Sequence, residues 1–467
     1  MRGVRWKVIG VGVMMNRIRC GGCKLVLRRR DGVADEVCKV FWFLNDTSGY
    51  MRGDKWCRGW NVIVRGVVGE NEFIGVLDEE LSGLEDPTTQ QYLTTISHGT
   101  PFVSTNVVVD LSGSVFWLNC PSRKSSSLFI IPHRSLQCLT AKSHSQTWPI
   151  DQDQHTPCEI LPKNTITGKV STEGILVEDV LELKSTKDSI FQPTLDFFFA
   201  CSTSLLLNGL SNDAKGIVGF GRSRTSFSSQ FFNSVDSQRK ITFCLSSTSG
   251  IVLLGQNNVL ESEIFRSLTF TPLVTNQNNE YFINVNSIKI GGKKVSFNPP
   301  SLSQEGYSYE GGTKLSSVVP YTTMQSSIYA NFKSAFLKAA LSMNMSRVVT
   351  SVSPFEICFD SKGVDESQAG PNVPVIDFVL QSEMVKWRIY GRNSMVRVND
   401  DVMCLGILDG GDEQKNPIVI GGYQMEDVLV QLDFESSMVG FSSSLLIKDT
   451  SCSSFRFGSM DVQFQSS

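Results

Sequence analysis

Hydrophobic and polar residues alternate along much of this chain with the period of two that is typical of β-strands. Residues 240–254 and 280–295 show the alternation clearly, and both stretches are predicted to form strands. Residues 170–183 also alternate, with Gly168 and Gly174 as breaks, which predicts a β-hairpin. The pattern therefore indicates a mostly β protein.

One segment has helical rather than strand periodicity. In residues 328–343, apolar side chains recur at Phe332, Phe336, Ala339 and Ala340, which places them on one face of a helix. A short amphipathic helix is predicted there. It is followed by the triplet that begins at Asn344, an N-glycosylation sequon that we expect on the surface.

The most informative stretch is residues 106–120, where an acidic residue separates two apolar runs. Val107 to Val109 lead into Asp110, small residues follow, and a second apolar run ends at Leu118. Such a pattern predicts a strand, a tight turn that carries a carboxylate, and a second strand. Asp110 is therefore a candidate catalytic group.

A related stretch occurs later in the chain, without its acid. The run Gly-Gly-Thr-Lys-Leu-Ser ends at Ser316, which stands where the first half has Asp110. In each half an apolar run that ends in glycine follows: Gly219 comes 109 residues after Asp110, and Gly421 comes 105 residues after Ser316. The matched spacings indicate an internal duplication.

Further motifs occur in a characteristic order, namely Gln91-Tyr-Leu-Thr-Thr-Ile96, Gly219-Phe-Gly-Arg-Ser-Arg224, Tyr281-Phe-Ile-Asn-Val-Asn-Ser-Ile288 and Cys404-Leu-Gly406. With the two site stretches, they resemble a non-proteolytic branch of the plant pepsin-like proteins. That branch contains cereal xylanase inhibitors, the extracellular dermal glycoprotein, endoglucanase inhibitors and the basic 7S globulins of seeds. The resemblance covers residues 85–455.

The resemblance implies a mostly β, bilobal pepsin-like fold whose lobes are related by a pseudo-twofold axis. We expect a first lobe of the xylanase inhibitor N-terminal type at residues 85–270 and a second lobe of the C-terminal type at residues 271–467. Residues 1–84 have no counterpart in this pattern. We expect them to be an atypical extension that is unstructured, or an artefact of the gene model.

Active pepsin-like enzymes use two aspartates that share one proton and divide the roles of acid and base. By the resemblance, Asp110 is a remnant of that pair and Ser316 replaces the second aspartate. Leu111 lacks the hydroxyl that ties the two turns together in active enzymes, and Ser112 replaces a glycine. Residues 93–280 contain no tyrosine that a flap over the substrate could use. Because acid–base groups contribute factors of about 10²–10⁴ to rates, we expect negligible peptidase activity.

Composition narrows the possible functions. The 467 residues carry a net charge of −3, with 19% charged and 41% hydrophobic residues. This is a globular composition without the basic excess of nucleic-acid-binding proteins, and no apolar run is long enough to predict a membrane span. Residues 121–157, rich in Ser, Lys, Gln and Pro, are predicted to be an exposed and mobile loop.

Cysteine usage favours an oxidising compartment. Eight of the 12 cysteines lie in the expected lobes, which suggests disulfides, although reduced core cysteines are an alternative. The resemblance implies the pair Cys358–Cys404 and leaves the other pairings open. It also implies an extracellular, apoplastic location, although the amino terminus has no convincing signal peptide.

Other chemistries have little support in the sequence. The four histidines do not show the spacing of metal ligands, and no glycine-rich phosphate-binding loop precedes a helix. We therefore expect neither a metal nor a cofactor.

The resemblance also points to a surface that binds a partner. Inhibitory relatives direct a basic side chain, from a loop just before the last cysteine of the second lobe, into the cleft of a glycoside hydrolase. That cleft contains two catalytic carboxylates. The corresponding loop here carries Lys448 and Asp449 before Cys452. Lys448 is the candidate contact, Asp449 offsets its charge, and the alternative is an ordinary solvated lysine.

Several functions remain open from the sequence. The first is a secreted, monomeric inhibitor of glycoside hydrolases such as xylanase or endoglucanase, acting in plant defence. The alternatives are a storage or peptide-binding protein of the basic 7S globulin type, an aspartic endopeptidase with residual activity, and a degenerate copy.

Overall fold

The computed structural model describes residues 89–120, 125–142, 156–182, 194–234, 238–255, 263–276, 279–297, 312–348 and 352–454, together with short strands nearer the amino terminus. The chain divides into two compact units, Met1–Asn71 and Glu72–Ser467. In the first unit, β1, β2 and β3 pair in antiparallel fashion, as do β4 and β5. The strands are β1 (Val13–Met15), β2 (Lys24–Arg29), β3 (Val37–Lys39), β4 (Phe43–Leu44) and β5 (Met51–Arg52). Apart from these strands, residues 1–84 lie outside the described part of the chain, and their expected character stays a prediction.

Short strands dominate the first half of the second unit, as the alternating pattern predicts. In chain order the elements are β6 (Leu93–His98), β7 (Val103–Asp110), β8 (Trp117–Asn119), β9 (Phe129–Ile130), α1 (Leu136–Ala141), β10 (Gly174–Glu182), β11 (Thr194–Ser202), β12 (Gly216–Gly219), α2 (Phe227–Ser234), β13 (Lys240–Cys244), β14 (Ile251–Leu254), α3 (Glu263–Arg266) and β15 (Thr269–Pro272).

The second half continues in the same way. Its elements are β16 (Val274–Thr275), β17 (Tyr281–Ile283), β18 (Ser287–Ile290), β19 (Lys293–Lys294), β20 (Thr313–Leu315), β21 (Thr322–Met324), α4 (Ser326–Ser342), β22 (Arg347–Val348), β23 (Cys358–Asp360), β24 (Glu366–Ser367), β25 (Gly370–Pro371), β26 (Ile376–Ser382), β27 (Val385–Ile389), α5 (Gly391–Ser394), β28 (Met395–Arg397), β29 (Val402–Leu405), β30 (Ile407–Asp409), β31 (Ile418–Ile420), β32 (Leu429–Asp433) and β33 (Met438–Phe441).

Two sheets repeat the same topology. In the first lobe the strand order includes β6–β7–β12–β8–β11, and in the second lobe β17–β20–β31–β21–β30. Strand directions also correspond, because β12 is parallel to β7 as β31 is to β20, and β11 is parallel to β8 as β30 is to β21. The predicted bilobal fold with an internal duplication is confirmed.

A third sheet joins the two lobes. Its order is β14–β13–β32–β33–β15, so that strands of the first half pair with strands near the end of the chain. The boundary expected between residues 270 and 271 falls inside β15, which belongs to this shared sheet. Strands from both halves of the chain are therefore needed to form this shared sheet.

Aromatic side chains fill the core of the first lobe. Phe197 and Phe227 stack with ring centroids 4.8 Å apart, and Phe116 packs edge-on against Phe227. In the second lobe, α4 buries Phe332 and Phe336, as its apolar spacing predicts. No helix in the described residues has the length and apolarity that would be needed to span a membrane.

The predicted hairpin at residues 170–183 is wrong in position. Gly174–Glu182 is one long strand that pairs with Thr194–Ser202, and its alternation reflects the two faces of that strand. The tight turn comes earlier, between the bridged residues Lys163 and Val170. There the Asn164 side chain accepts hydrogen bonds from two backbone N–H groups, those of Ile166 and Thr167.

The described part of the segment at 121–157 is more ordered than its composition predicts. Within residues 125–142, Ser135 caps α1 by accepting a hydrogen bond from the Cys138 backbone N–H at 3.1 Å. A disulfide joins Cys138 to Cys158, and Ile131 is completely buried beside it. One disulfide and a few buried side chains fix this polar segment against the lobe, whereas its composition alone predicts an exposed and mobile loop.

Candidate functional site: a pepsin-like centre with one acid

Asp110 is the last residue of β7 and lies on the turn that the sequence predicts. The carboxylate is 1% exposed, and its Oδ1 atom accepts a hydrogen bond from the Ser112 backbone N–H at 3.0 Å. The residue after Ser112 must be small, because a Cβ atom on Gly113 would lie 2.9 Å from Asp110 Oδ2 and 2.9 Å from the backbone of Gly219. The turn therefore wraps tightly around the carboxylate.

The second carboxylate oxygen has no good partner among the described residues. Asp110 Oδ2 and the nearby Thr165 hydroxyl are both buried, and neither makes a hydrogen bond of normal geometry. Burial raises the pKa of Asp110 above its ordinary value, while Thr165, the Ser112 N–H and the positive charge of Lys314 partly offset the rise. Asp110 is thus a buried acid whose charged form is under-solvated.

Ser316 occupies the equivalent place in the second lobe. It follows β20, its backbone N–H donates to the Ile420 carbonyl at 3.0 Å, and its side chain is buried. The hydroxyl accepts a hydrogen bond of 3.3 Å from the Val319 backbone N–H. Ser316 is therefore built into its own turn, where a hydroxyl cannot share a proton with Asp110 as a second carboxylate would.

In each lobe, a glycine in the strand after the site allows that strand to pack closely against the site turn. A Cβ atom on Gly219 would come within 2.4 Å of the Gly113 carbonyl, and one on Gly421 within 2.4 Å of the Tyr321 backbone. In each lobe the glycine lets the site turn lie directly against the following strand. The close approach of backbone to backbone therefore explains, in both halves, why a glycine ends the apolar run that follows the site.

Ser317 connects the two site turns, and sequence reasoning missed it. Its Oγ atom accepts a hydrogen bond from the Leu111 backbone N–H at 2.9 Å and donates to the Val109 carbonyl at 2.8 Å. The reverse contact is absent, since Leu111 has no hydroxyl to offer to the second lobe. The signal was available, because Ser316 and Ser317 together occupy the position of an acid followed by a hydroxyl residue.

Thr165, at the tip of the hairpin, stands over this site in place of a flap tyrosine. The hairpin is fixed from both sides, because Trp117 Nε1 donates to the Lys163 carbonyl at 3.2 Å and Asn164 Nδ2 donates to the Leu206 carbonyl at 2.9 Å. Thr165 brings a short, neutral hydroxyl to the carboxylate. The predicted lack of a flap tyrosine stands, although the flap itself lies earlier than predicted.

Lys448 lies on a single helical turn at the surface, residues Leu445–Lys448. Leu445 is buried, while Ile447, Lys448 and Asp449 are exposed. The Lys448 Nζ atom donates to the Ser267 hydroxyl at 3.2 Å, and Asp449 accepts a hydrogen bond from the Gln368 side chain at 2.9 Å. The loop thus presents both candidate partner residues to solvent.

Two constraints hold this loop in place. Cys452 forms a disulfide with Cys244 in the shared sheet, and its backbone N–H donates to the buried Asp427 carboxylate at 2.9 Å. The Asp427 carbonyl in turn accepts a hydrogen bond of 2.8 Å from the Leu445 backbone N–H. Asp427 therefore anchors both ends of the loop that carries Lys448.

The remaining predicted residues have clear places. Asn344 is exposed just beyond α4, at a positive φ of 58°. The predicted disulfides are confirmed for all eight cysteines of the two lobes, and the pair Cys358–Cys404 is among them. Of the histidines, His98 and His133 are buried, whereas His144 and His155 lie outside the described residues. In the described part of the chain, no group of three potential metal ligands comes together.

Comparison with known proteins now identifies the family. The model of the xylanase inhibitor N-terminal domain matches residues 92–256, and that of the xylanase inhibitor C-terminal domain matches residues 280–443. The two matches cover well over half of the chain. The chain therefore belongs to the family of plant pepsin-like proteins that these two domains define.

Individual relatives agree with this assignment. The chain is 39% identical to the probable aspartic proteinase GIP2 of Nicotiana benthamiana, with 80% of this chain and 91% of that protein covered. It is 36% identical to gamma conglutin 1 of Prunus dulcis, with 80% and 88% covered.

Solved structures give the same picture. The crystal structure of edgp is similar with a TM-score of 0.74 and 38% identity, covering 84% of this chain and 100% of that one. The crystal structure of soybean basic 7S globulin is similar with a TM-score of 0.69 and 30% identity, covering 82% and 99%. The fold and the predicted branch of the family are thereby confirmed.

Proposed function

We propose that this chain is a catalytically inactive aspartic-peptidase homologue that is secreted and inhibits cell-wall-degrading glycoside hydrolases, such as xylanase or endoglucanase, in plant defence. The observation that carries the first half of the proposal is the pairing of a buried Asp110 with Ser316 at the equivalent position. A single carboxylate cannot act as base on water and as acid on the carbonyl in the same step.

The second half of the proposal rests on the Lys448 loop. An ammonium group on an exposed and anchored turn is suited to a cleft that contains two carboxylates, the arrangement used by most glycoside hydrolases. The anchoring by Asp427 and by the Cys244–Cys452 disulfide means that little conformational freedom is lost on binding. Lys448 and Asp449 are the proposed partner contacts.

Four disulfides among the described residues support an extracellular location, since disulfides persist in oxidising compartments. The exposed sequon at Asn344 supports the same location, because N-glycosylation requires passage through the secretory pathway. We therefore propose that the protein is apoplastic and that Asn344 carries a glycan.

A second candidate function is favoured by the names of several relatives. The chain is 32% identical to the basic 7S globulin of Glycine max and is related to several gamma conglutins, which supports a storage or peptide-binding role. Residual endopeptidase activity is the third candidate, and the name of the Nicotiana relative is its support.

One panel of assays separates these candidates. The purified full-length protein is titrated against a fungal xylanase, a xyloglucan-specific endoglucanase and a denatured protein substrate at acidic pH. Saturable inhibition of one glycanase supports the proposal. Absence of inhibition across a broad glycanase panel, together with tight binding of a peptide, would favour the storage or peptide-binding role instead.

A further inference from the structure

The groups of the remnant centre are closed off from solvent. Asp110, Ser316 and Ser317 are each 1% exposed. A centre that acts on a peptide has to leave its reacting groups within reach of that peptide, so this burial needs a structural cause. The segment that lies over Asp110 is the tight hairpin whose strands are bridged at Lys163 and Val170, which we call the site hairpin.

Asn164 fixes the tip of the site hairpin. It is completely buried, and its side chain makes four hydrogen bonds. The Oδ1 atom accepts from the backbone N–H groups of Ile166 and Thr167 at 2.9 and 3.0 Å, which shapes the turn. The Nδ2 atom donates to the carbonyls of Leu206 and Asn208 at 2.9 and 3.0 Å, which attaches the turn to the segment after β11. One buried side chain therefore holds the hairpin in a single position on the first lobe.

Ile166 supplies an apolar contact beside the centre. It packs against a buried cluster that includes Val108 of the first lobe and Val318 of the second lobe. Val108 lies two residues before Asp110, and Val318 lies two residues after Ser316, so that the cluster borders both site turns. Opening the hairpin would expose this apolar surface to water, which is unfavourable.

Charge also links the site hairpin to the second lobe. Burial works to raise the pKa of the Glu280 carboxyl, but a hydrogen bond from Lys314 and the charge of that lysine hold the pKa below its ordinary value. The positive charge of Lys163, at the base of the hairpin, adds to this lowering. Charges interact over about 8 Å at physiological ionic strength, so the base of the hairpin lies near the second lobe.

We propose that the site hairpin, residues 163–170, is an internal plug that keeps peptides out of the centre around Asp110 and Ser316. Thr165 covers the carboxylate and Ile166 packs beside both site turns, so the hairpin lies where a ligand of this centre would have to lie. A mobile lid has few contacts and opens readily, whereas this hairpin is held by buried hydrogen bonds and apolar packing. A peptide or protein partner is then confined to the outer surface, whether or not the protein inhibits a glycoside hydrolase.

Chemical labelling of carboxyl groups tests the closure in the full-length wild-type protein. A water-soluble carbodiimide couples glycinamide to accessible carboxyl groups at mildly acidic pH, and peptide mass spectrometry quantifies each site. We expect labelling of Asp110 to be at least about tenfold slower than that of the exposed Asp400 and Asp412, because it requires the hairpin to open. A statine-type peptide inhibitor should give no measurable binding in calorimetry. Labelling of Asp110 at the rate of the exposed acids, or inhibitor binding that Asp110→Asn weakens, would overturn the proposal.

Two variants test whether the hairpin is the cause of the closure. Asn164→Ala removes four hydrogen bonds and should speed both the labelling of Asp110 and the amide hydrogen exchange of residues 163–170 by about tenfold or more. Ile166→Ala truncates the apolar contact and should speed both by about threefold or more.

Asn208→Ala is the matched control for these variants. Asn164 binds the backbone carbonyl of Asn208, which this change leaves in place, so both rates should stay within about twofold of the wild type. Circular dichroism verifies that each variant is folded, and Ile166→Ala decides the question if Asn164→Ala does not fold. Unchanged labelling of Asp110 in the folded hairpin variants, or equal acceleration in Asn208→Ala, would mean that the hairpin does not close the centre.

Discussion

The Ser317 side-chain oxygen of the second lobe accepts a hydrogen bond from the Leu111 backbone N–H of the first lobe, at 2.9 Å. The same hydroxyl donates to the Val109 carbonyl, so that one side chain satisfies two buried backbone groups on either side of Asp110. The Leu111 side chain is buried in the apolar core and has no group that could return a hydrogen bond to the second lobe. The two site turns are therefore connected through a side chain from the second lobe only, and this connection satisfies buried backbone groups of the first lobe.

Replacing Ser317 by alanine should destabilise the protein substantially. The change leaves the Leu111 N–H and the Val109 carbonyl buried without partners, and each unsatisfied group costs about 1–3 kcal/mol. We expect a loss of about 2–4 kcal/mol in the free energy of unfolding, measured by denaturant titration. Ser316→Ala is the control, because among the described residues the Ser316 hydroxyl makes a single hydrogen bond, which it accepts from the Val319 N–H at 3.3 Å. This change should cost less than about 1 kcal/mol. Similar losses in the two variants would contradict a special role for Ser317.

Asp110→Asn should stabilise the protein at neutral pH. Burial raises the pKa of Asp110 in the folded state above its ordinary value of 3.8. The protonated carboxyl group therefore contributes to the free energy of unfolding below pH 3.8, and this contribution is lost as the pH rises through the pKa of the folded state. Asparagine keeps the acceptor for the Ser112 N–H and offers an N–H group to Thr165, without a charge to desolvate. Thermal unfolding should show a higher Tm than the wild type at pH 7 and a smaller difference at pH 3. A variant that is less stable at pH 7 would mean that the charge of Asp110 is well compensated.

The local sequence predicted the two site turns correctly but did not predict the long-range contacts that connect them. The turn at Asp110 and its counterpart at Ser316 were predictable because apolar strands, small turn residues and a following glycine lie within short segments. Ser317 was missed because its partner Leu111 is 206 residues away and contributes only backbone atoms. Pairing of β13 with β32 across the chain is not visible in alternation, which predicts a strand but not its neighbour.

Errors in the predicted hairpin have a similar cause. Alternation in residues 170–183 is equally compatible with two short strands and with one long strand, and the side-chain hydrogen bonds of Asn164 decided where the chain turns. Ser267, which holds Lys448, is 181 residues from it and could not be found from the loop alone.

Peptidase activity should be undetectable, and restoring one acid should not recover it. In Ser316→Asp the second carboxylate returns, but Leu111 still offers no hydroxyl and Thr165 still replaces a flap tyrosine. We expect no cleavage of a denatured protein substrate at pH 3–5 by either the wild type or the variant. Cleavage by the wild type that a transition-state peptide inhibitor blocks, and that Asp110→Asn abolishes, would refute the assignment as an inactive homologue.

Lys448→Ala tests the proposed inhibitory contact directly. The Lys448 ammonium makes a single hydrogen bond in the described structure, to the exposed Ser267, so its removal should leave the fold intact. If it pairs with catalytic carboxylates in a desolvated cleft, truncation should cost about 2–5 kcal/mol, which is about thirtyfold or more in the inhibition constant. Lys415→Ala, on another exposed loop, should change the constant by less than about fivefold.

Asp449→Asn provides the opposite change on the same loop. Asparagine tolerates the positive φ of 52° at this position and still accepts the hydrogen bond from Gln368, but it removes the charge that offsets Lys448. Inhibition should therefore tighten, by about twofold to fivefold at low salt and less at high salt. A loss below threefold in Lys448→Ala, combined with no effect of Asp449→Asn, would place this loop at the rim of the interface. The search would then move to the other exposed loops of the second lobe, beginning with residues 409–416.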